Sequence, residues 1–242
     1  MSCDCSYDLF GLALRDYVEG RYGSLFIERD DGYIKEMDLS LYFKSHKDWP
    51  SYEREAISHV RGRVLDIGCG AGRHALYLQK KRHEVIALDL SYKVAKIARD
   101  RGCSNVLVMD ARLLGFRPNT FDTILLMGNN FGLAGDERGT VKLLRQIYSI
   151  GRERAIIVTT CRDPKETGNP AHLAYHERNR RNGLPIGQLR LRFKYRGMIG
   201  PWFKLLILTP KEMEDLCNRV SWKVVRIWKG SDGMYSAVIQ KV

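Results

Sequence analysis

VLDIGCGAGRHAL, residues 64–76, passes from an apolar strand into three glycines and then into a helix. Gly68, Gly70 and Gly72 let the backbone turn sharply and approach a ligand closely. In open α/β sheets, ligands bind at the carboxyl ends of the strands, where this loop falls. Two details separate it from a dinucleotide loop. Position 73, where a third glycine of G-x-G-x-x-G would stand, is Arg73. Asp66 lies at the strand end, where a carboxylate repels a pyrophosphate and attracts an ammonium group. A phosphate-binding P-loop is excluded because no G-K-[ST] follows.

Two further acids fall into step with Asp66. Asp89 ends EVIALD, about twenty residues beyond the loop, and Asp110 ends VLVMDA. An acid at the first position can accept from both ribose hydroxyls, and one at the second from an adenine amine. Outward from the loop, short apolar runs alternate with amphipathic stretches. Strands are expected at 64–67, 84–88, 105–109, 121–127 and 154–160, with helices at 73–81, 92–101 and 140–148. Continuous apolar strands between helices indicate a parallel sheet covered on both faces. The tail adds a helix at 211–220 and strands at 222–228 and 235–241. Their short link, with Gly230 and Gly233, makes those two strands antiparallel. The expected fold is α/β: a doubly wound, mostly parallel seven-stranded sheet ending in an antiparallel hairpin.

Two segments flank this plan. Residues 1–60 read as a mostly helical cap, ahead of a domain spanning 61–242. Between residues 161 and 208 lies an insertion whose centre, GQLRLRFKYRG, alternates strictly. Leu189, Leu191, Phe193 and Tyr195 share one face, and Arg190, Arg192, Lys194 and Arg196 the other, as in a strand with one buried side. Residues 202–208 form its expected partner strand, giving a small antiparallel lid.

With these residues in view, the chain resembles the class I S-adenosylmethionine-dependent methyltransferases over roughly residues 45–160 and the tail from Thr209. The resemblance implies an enzyme with S-adenosylmethionine as cofactor. It places Asp66, Gly68 and Gly70 at the methionine part, Asp89 with Leu90 at the ribose, and Asp110 with Ala111 near adenine. Met127, ending the strand FDTILLM, lines the same crevice. Insertions after the fifth strand commonly shape the substrate site in this superfamily.

The acceptor is less defined. Base-amine methyltransferases often carry [DNS]-P-P-[YF] after the fourth strand, whereas this chain has Gly128, Asn129, Asn130 and Phe131. GNNFGL is similar to a segment of glycine N-methyltransferases, which makes Asn129 and Asn130 candidates to orient an acceptor. Tyr195 and Trp202 are further substrate-binding candidates. A base is needed only if the acceptor arrives protonated. Asn129, His172 and His176 are the catalytic candidates, with Glu177 beside them. His172 and His176 share a helix face, but no third ligand accompanies them, so no metal site is expected. His74 is read as capping the cofactor pocket. Cys161 ends T-T-C, as does the nucleophile of RNA cytosine-5 methyltransferases, but their accompanying P-C is missing and a buried thiol is the favoured reading.

A small molecule bearing an amine, hydroxyl or carboxylate is the expected acceptor. RNA is the alternative, given a formal charge of +12 and the arginines Arg178, Arg180 and Arg181 of the insertion. A non-catalytic nucleic-acid-binding module on the same fold is a third reading. The cysteines Cys3, Cys5, Cys69, Cys103, Cys161 and Cys217 lack metal-site spacing and read as free thiols. No run approaches a membrane span, and the opening residues lack a secretory layout, so a cytoplasmic protein is expected. Oligomeric state is left open.

Overall fold

The computed structural model describes residues 8–242. The chain opens with α1 (Leu9–Val18), β1 (Leu25–Arg29), β2 (Ile34–Glu36) and α2 (Ser51–Ile57). The central run is β3 (Val64–Ile67), α3 (Arg73–Lys80), β4 (Val85–Asp89), α4 (Tyr92–Asp100), β5 (Val106–Val108), β6 (Phe121–Leu126), α5 (Glu137–Ile150) and β7 (Gly151–Arg162). Then follow α6 (Pro170–Arg181), β8 (Gln188–Tyr195), β9 (Met198–Ile199), β10 (Phe203–Leu206), α7 (Pro210–Asn218), β11 (Trp222–Lys229) and β12 (Met234–Lys241).

Seven strands form the main sheet in the order β11-β12-β7-β6-β3-β4-β5. The pairs from β7 through β5 are parallel, and β12 runs antiparallel to both β7 and β11. This is the doubly wound architecture expected from the alternating pattern. One face packs on α5 and α7 through Leu144, Ile147, Met213 and Leu216. The other packs on α2, α3 and α4 through Ala56, Leu78 and Ala98. Burial of such aliphatic side chains, roughly 1.5–3 kcal/mol for each of the larger ones, holds the layers together. Local signals fix the ends: Thr209 and Glu212 form a reciprocal capping box behind Pro210 at the first turn of α7.

The opening segment departs from its expected helical character. It supplies β1 and β2 to a second, five-stranded antiparallel sheet, ordered β10-β8-β1-β2 with β9 on β8. Phe26 pairs with Lys194 and Ile27 with Phe193, so sequence segments some 165 residues apart share one roof. The reason is visible in the residues. Every residue of β2 is exposed, which removes the apolar alternation that marks a strand. Helix α1 seals the underside, with Leu9, Leu14, Leu25 and Tyr195 buried against Val94 and Ile97 of α4.

The roof is tied down firmly. A Cβ on Gly132 would overlap the Leu206 carbonyl oxygen, so β10 lies directly on the loop after β6. The Gln188 side-chain amide donates to the Gly135 carbonyl at the same seam. On the outer side, Arg29 is 5% exposed and lies between the rings of Tyr33 and Tyr175. It donates to Asp31 at 2.7 and 2.8 Å and to the Ala171 carbonyl at 2.9 Å, bolting α6 to the β1–β2 hairpin.

Candidate active site

The glycine loop follows β3 at the centre of the sheet. The Gly68 and Cys69 N–H groups donate to the Leu88 carbonyl at 2.8 and 3.0 Å, locking the loop to β4. Gly68 has φ +70°, and a Cβ there would fall 2.5 Å from the Asn130 amide nitrogen. Only glycine satisfies both conditions. Asn130 Nδ2 donates to the Ile67 and Gly68 carbonyls at 2.9 and 3.0 Å, stapling the loop after β6 to the glycine loop.

Above the loop lies a cavity of about 710 Å³, lined by Gly68, Gly70, Asp89, Leu90, Asp110, Ala111, Met127 and Asn130 among others. That volume falls within the roughly 300–1,000 Å³ typical of small-molecule sites. Asp66, just before the loop, is 1% exposed and is not itself part of the cavity lining; its Oδ2 has no hydrogen-bond partner among the described residues. Burial, and next the Asp89 charge, push its carboxyl up to about 7, against the pull of Arg73 and the Ala75 N–H. Asp89 accepts from the Gly70 and Ser91 N–H groups at 3.1 and 3.0 Å. Burial still pushes its carboxyl up to about 6. One fully buried acid with an unpartnered oxygen and one half-buried acid, both pushed above the usual carboxylate range, leave negative charge here that is costly without a positive partner.

Asp110 differs from expectation. It lies two residues past β5, and its carboxylate accepts from Arg112 at 2.6–3.0 Å. Those bonds hold it below the usual carboxylate range. It lines the cavity, but with a guanidinium already attached. Leu90 is exposed at the rim, while Ala111 and Met127 are buried in the wall.

Behind the loop, Glu53 of α2 bonds His74 Nε2 and Arg73, each at 2.8 Å. Burial would raise Glu53, but the His74 hydrogen bond and the His74 and Arg73 charges hold it below its ordinary value. Burial drives His74 the other way, toward the neutral ring. His74 lines the cavity, as its expected capping place requires, yet its Nε2 is taken. Trp49 closes the rear, with the Arg73 guanidinium 5.2 Å from its ring centre.

Of the acceptor-side candidates, Asn130 and Trp202 line the cavity, and Asn129, Tyr195, His172 and His176 do not. Asn129 Oδ1 accepts from the Arg162 N–H at 2.7 Å, which makes it a clasp between the β6 loop and β7. Tyr195 is buried and donates to Asp16 at 3.1 Å beneath the roof. His172 Nδ1 accepts from Arg29 at 2.9 Å, and His176 is buried on the same helix. The two do share a face of α6, but that face packs on the hairpin of the roof. Cys161 is fully buried, with its S–H toward the Leu208 carbonyl, and burial pushes the thiol up to about 11. A protonated, enclosed thiol is no nucleophile. Cys69, Cys103 and Cys217 are likewise free and buried, and Cys3 and Cys5 lie outside the described residues.

The cavity has lining residues that sequence reasoning missed, among them Phe10 of α1, Tyr42 and Lys204. Phe10 packs on Tyr42 and on Phe193, with ring centres 5.1 and 5.5 Å apart. A usable signal existed in Asp31-Gly32, a hairpin dipeptide that marks the strands carrying the roof. For Tyr42, at the end of a single 3-10 turn (Leu39–Tyr42), no local pattern pointed inward.

Comparison with known proteins agrees with this geometry. Residues 64–153 match the family model described as a methyltransferase domain. A phosphatidylethanolamine N-methyltransferase of Cereibacter sphaeroides is 31% identical over 112 residues, covering 38% of this chain and 55% of that protein. A malonyl-[acyl-carrier protein] O-methyltransferase of Salmonella typhimurium is 33% identical over 100 residues, 40% of this chain and 38% of that protein. The chain thus spans about half the length, or less, of these curated relatives. The crystal structure of an S-adenosylmethionine-dependent methyltransferase from Bacteroides fragilis, in complex with S-adenosyl-L-homocysteine, superposes with a TM-score of 0.83. It is 23% identical, over 98% of this chain and 96% of that one, a likeness of fold that extends through both sheets. Glycine loop, strand order and matched segment converge: residues 64–153 match a methyltransferase domain, and the chain shares the fold of an S-adenosylmethionine-dependent methyltransferase.

Proposed function

We propose that this protein transfers a methyl group from S-adenosylmethionine to a small-molecule acceptor. The observation that carries this reading is a pair of acids at one glycine loop: fully buried Asp66 just before it, with an unpartnered Oδ2, and half-buried Asp89 in the cavity wall, which accepts from the Gly70 N–H. The residues fit the cofactor. Asp66 and the glycine loop would hold its ammonium end, and Asp89 its ribose hydroxyls. Leu90 would lie beside the ribose and Ala111 beside the base, with Asp110 at its edge and Met127 in the wall. When bound, S-adenosylmethionine supplies a methyl group already activated on a cationic sulfur. The protein's part is therefore alignment and exclusion of water. Asn130 holds the loop in register, the roof contributes Phe203 and the adjoining Trp202 to the cavity, and Phe10 and Tyr42 complete its aromatic lining.

A roofed chamber favours a small acceptor over a duplex or folded RNA. The basic strand face supports this too. Arg192 and Lys194 face Glu28, at 2.6 and 3.7 Å, and the Arg190 and Arg192 guanidinium groups lie on the Trp202 ring. Cations so engaged offer less to phosphates than their number suggests. The acceptors in the relatives' names, phosphatidylethanolamine and malonyl-[acyl-carrier protein], also lie outside nucleic acids. Among the described residues, no helix is long and apolar enough to cross a membrane.

The test is methyl transfer from labelled S-adenosylmethionine to fractionated small-molecule and RNA pools. Label entering a small-molecule fraction, with RNA unlabelled at physiological salt, supports the proposal. Label entering only RNA refutes the acceptor class, and label entering neither refutes the activity.

A further inference from the structure

The acceptor end of the cavity has a composition of its own. Trp202 and Phe203 line it together with Leu133 and Ala134, and Phe10 joins them to Tyr42, which lies against Gly70 of the glycine loop. Phe203 packs tilted, at 5.1 Å, on Phe193, which in turn stacks on Phe10, so the rings brace one another. The seam at Gly132 and Gly135 holds β10 against the acceptor loop, so the chamber is built before any ligand arrives.

The charges are equally distinctive. Arg73 is paired with Glu53, and Arg112 with Asp110. The one imidazole in the lining, His74, bonds Glu53. Lys204 is different: it lines the chamber, is exposed, and has no ion pair or hydrogen bond among the described residues. An alkylammonium acceptor would meet this cation and find no free base to take its proton. A flat ring would match the walls, and an oxygen that ionises readily would match the lysine.

Resting on the methyltransferase reading, we propose that the acceptor is an aromatic compound bearing an acidic hydroxyl, with Lys204 the residue that selects its ionised oxygen. The hydroxyl proton leaves to solvent. The phenolate oxygen forms the new bond to the methyl carbon, the sulfur–methyl bond breaks, and its electron pair remains on sulfur. The sulfonium becomes a neutral thioether and the phenolate a neutral methyl ether, so charge balances. Lys204 touches the acceptor oxygen and moves no proton; it favours the anion over the phenol.

The experiment uses the full chain saturated with S-adenosylhomocysteine, with 4-nitrophenol as probe, its phenolate absorbance followed against pH. The expected result is saturable binding with ionisation displaced downward by a few tenths of a pH unit, the size of an exposed charge pair. Lys204→Gln, on an exposed side chain, removes the displacement and leaves S-adenosylhomocysteine affinity unchanged, whereas Lys204→Arg keeps it. Ionisation unaffected by the protein, an equal displacement in Lys204→Gln, or preferential binding of benzylamine would each overturn the proposal. If S-adenosylhomocysteine fails to bind, the methyltransferase reading fails. If it binds and the probe's ionisation does not move, only the acceptor class is wrong.

Discussion

Asp66→Asn separates stability from binding in a direction that few substitutions do. In the free protein, burial and the neighbouring Asp89 raise the Asp66 carboxyl from its ordinary 3.8 to about 7. A group raised on folding favours the folded state when protonated. Its contribution is complete below pH 4 and is lost as pH climbs toward 7. About three pH units correspond to about 4 kcal/mol, an upper bound because Asp89 shares the repulsion. Asparagine has nearly the same shape and no charge to bury. The ligand-free variant should therefore be more stable than wild type at pH 8. At roughly 2–4 °C per kcal/mol for a chain of this length, its melting temperature should rise by several degrees. The same change removes the anion that receives the ammonium group. A hydrogen bond to a charged partner is worth roughly 1.5–3 kcal/mol, so S-adenosylhomocysteine affinity should fall roughly 10–100-fold. Differential scanning fluorimetry at pH 5 and pH 8, with calorimetric titration, reads both effects. A variant less stable at pH 8, or one that binds as tightly as wild type, would refute the reasoning.

Other perturbations test neighbouring parts of the account. Asp89→Ala should weaken S-adenosylhomocysteine binding by roughly 1–3 kcal/mol by titration, through lost hydrogen bonds to ribose. Gly132→Ala drives a methyl group into the Leu206 carbonyl; roughly 2 kcal/mol or more of stability should disappear in urea unfolding, with loosening of β10 seen by amide exchange. Glu53→Gln weakens the bonds to Arg73 and His74 behind the loop, and should cost roughly 1–3 kcal/mol in the same assay at pH 7. Because Glu53 is held below its ordinary value, its contribution should be present above pH 4.5 and fade on acidification. Cys161 should resist alkylation in the folded chain, read by peptide mass spectrometry, and Cys161→Ala should still bind S-adenosylhomocysteine.

The parts of this structure that were legible in the sequence are those whose signals are local. The strand-loop-helix at 64–80 announces itself because its glycines, its acid and its apolar run are contiguous. The hairpin of β11 and β12 is readable for the same reason, from a short link between two β-rich runs. The roof was half legible. The period-two pattern of β8 stands out, but β1 and β2 depend on β8 for pairing, across most of the chain. An exposed edge such as β2 carries no apolar periodicity to announce it. Side-chain roles divide in the same way. His172 and His176 were correctly placed on one helix face, yet spacing alone says nothing of what that face meets. Here the answer is Arg29, a buried cation that needs an acceptor. Asn129 and Asn130 were equal candidates by type. Backbone geometry distinguishes them, spending Asn129 on β7 and placing Asn130 in the cavity wall.

The acids at the heart of the cleft give the account its most direct measurement, a calorimetric titration with S-adenosylhomocysteine near pH 6–7 in buffers of different ionisation heat. The ammonium group of this zwitterionic ligand, placed beside the acids, favours their ionised form, so their affinity for protons must fall on binding. The predicted result is saturable binding that releases protons and tightens as pH rises from 5 to 8. Absence of binding, or binding with no proton release and no pH dependence over that range, would contradict it.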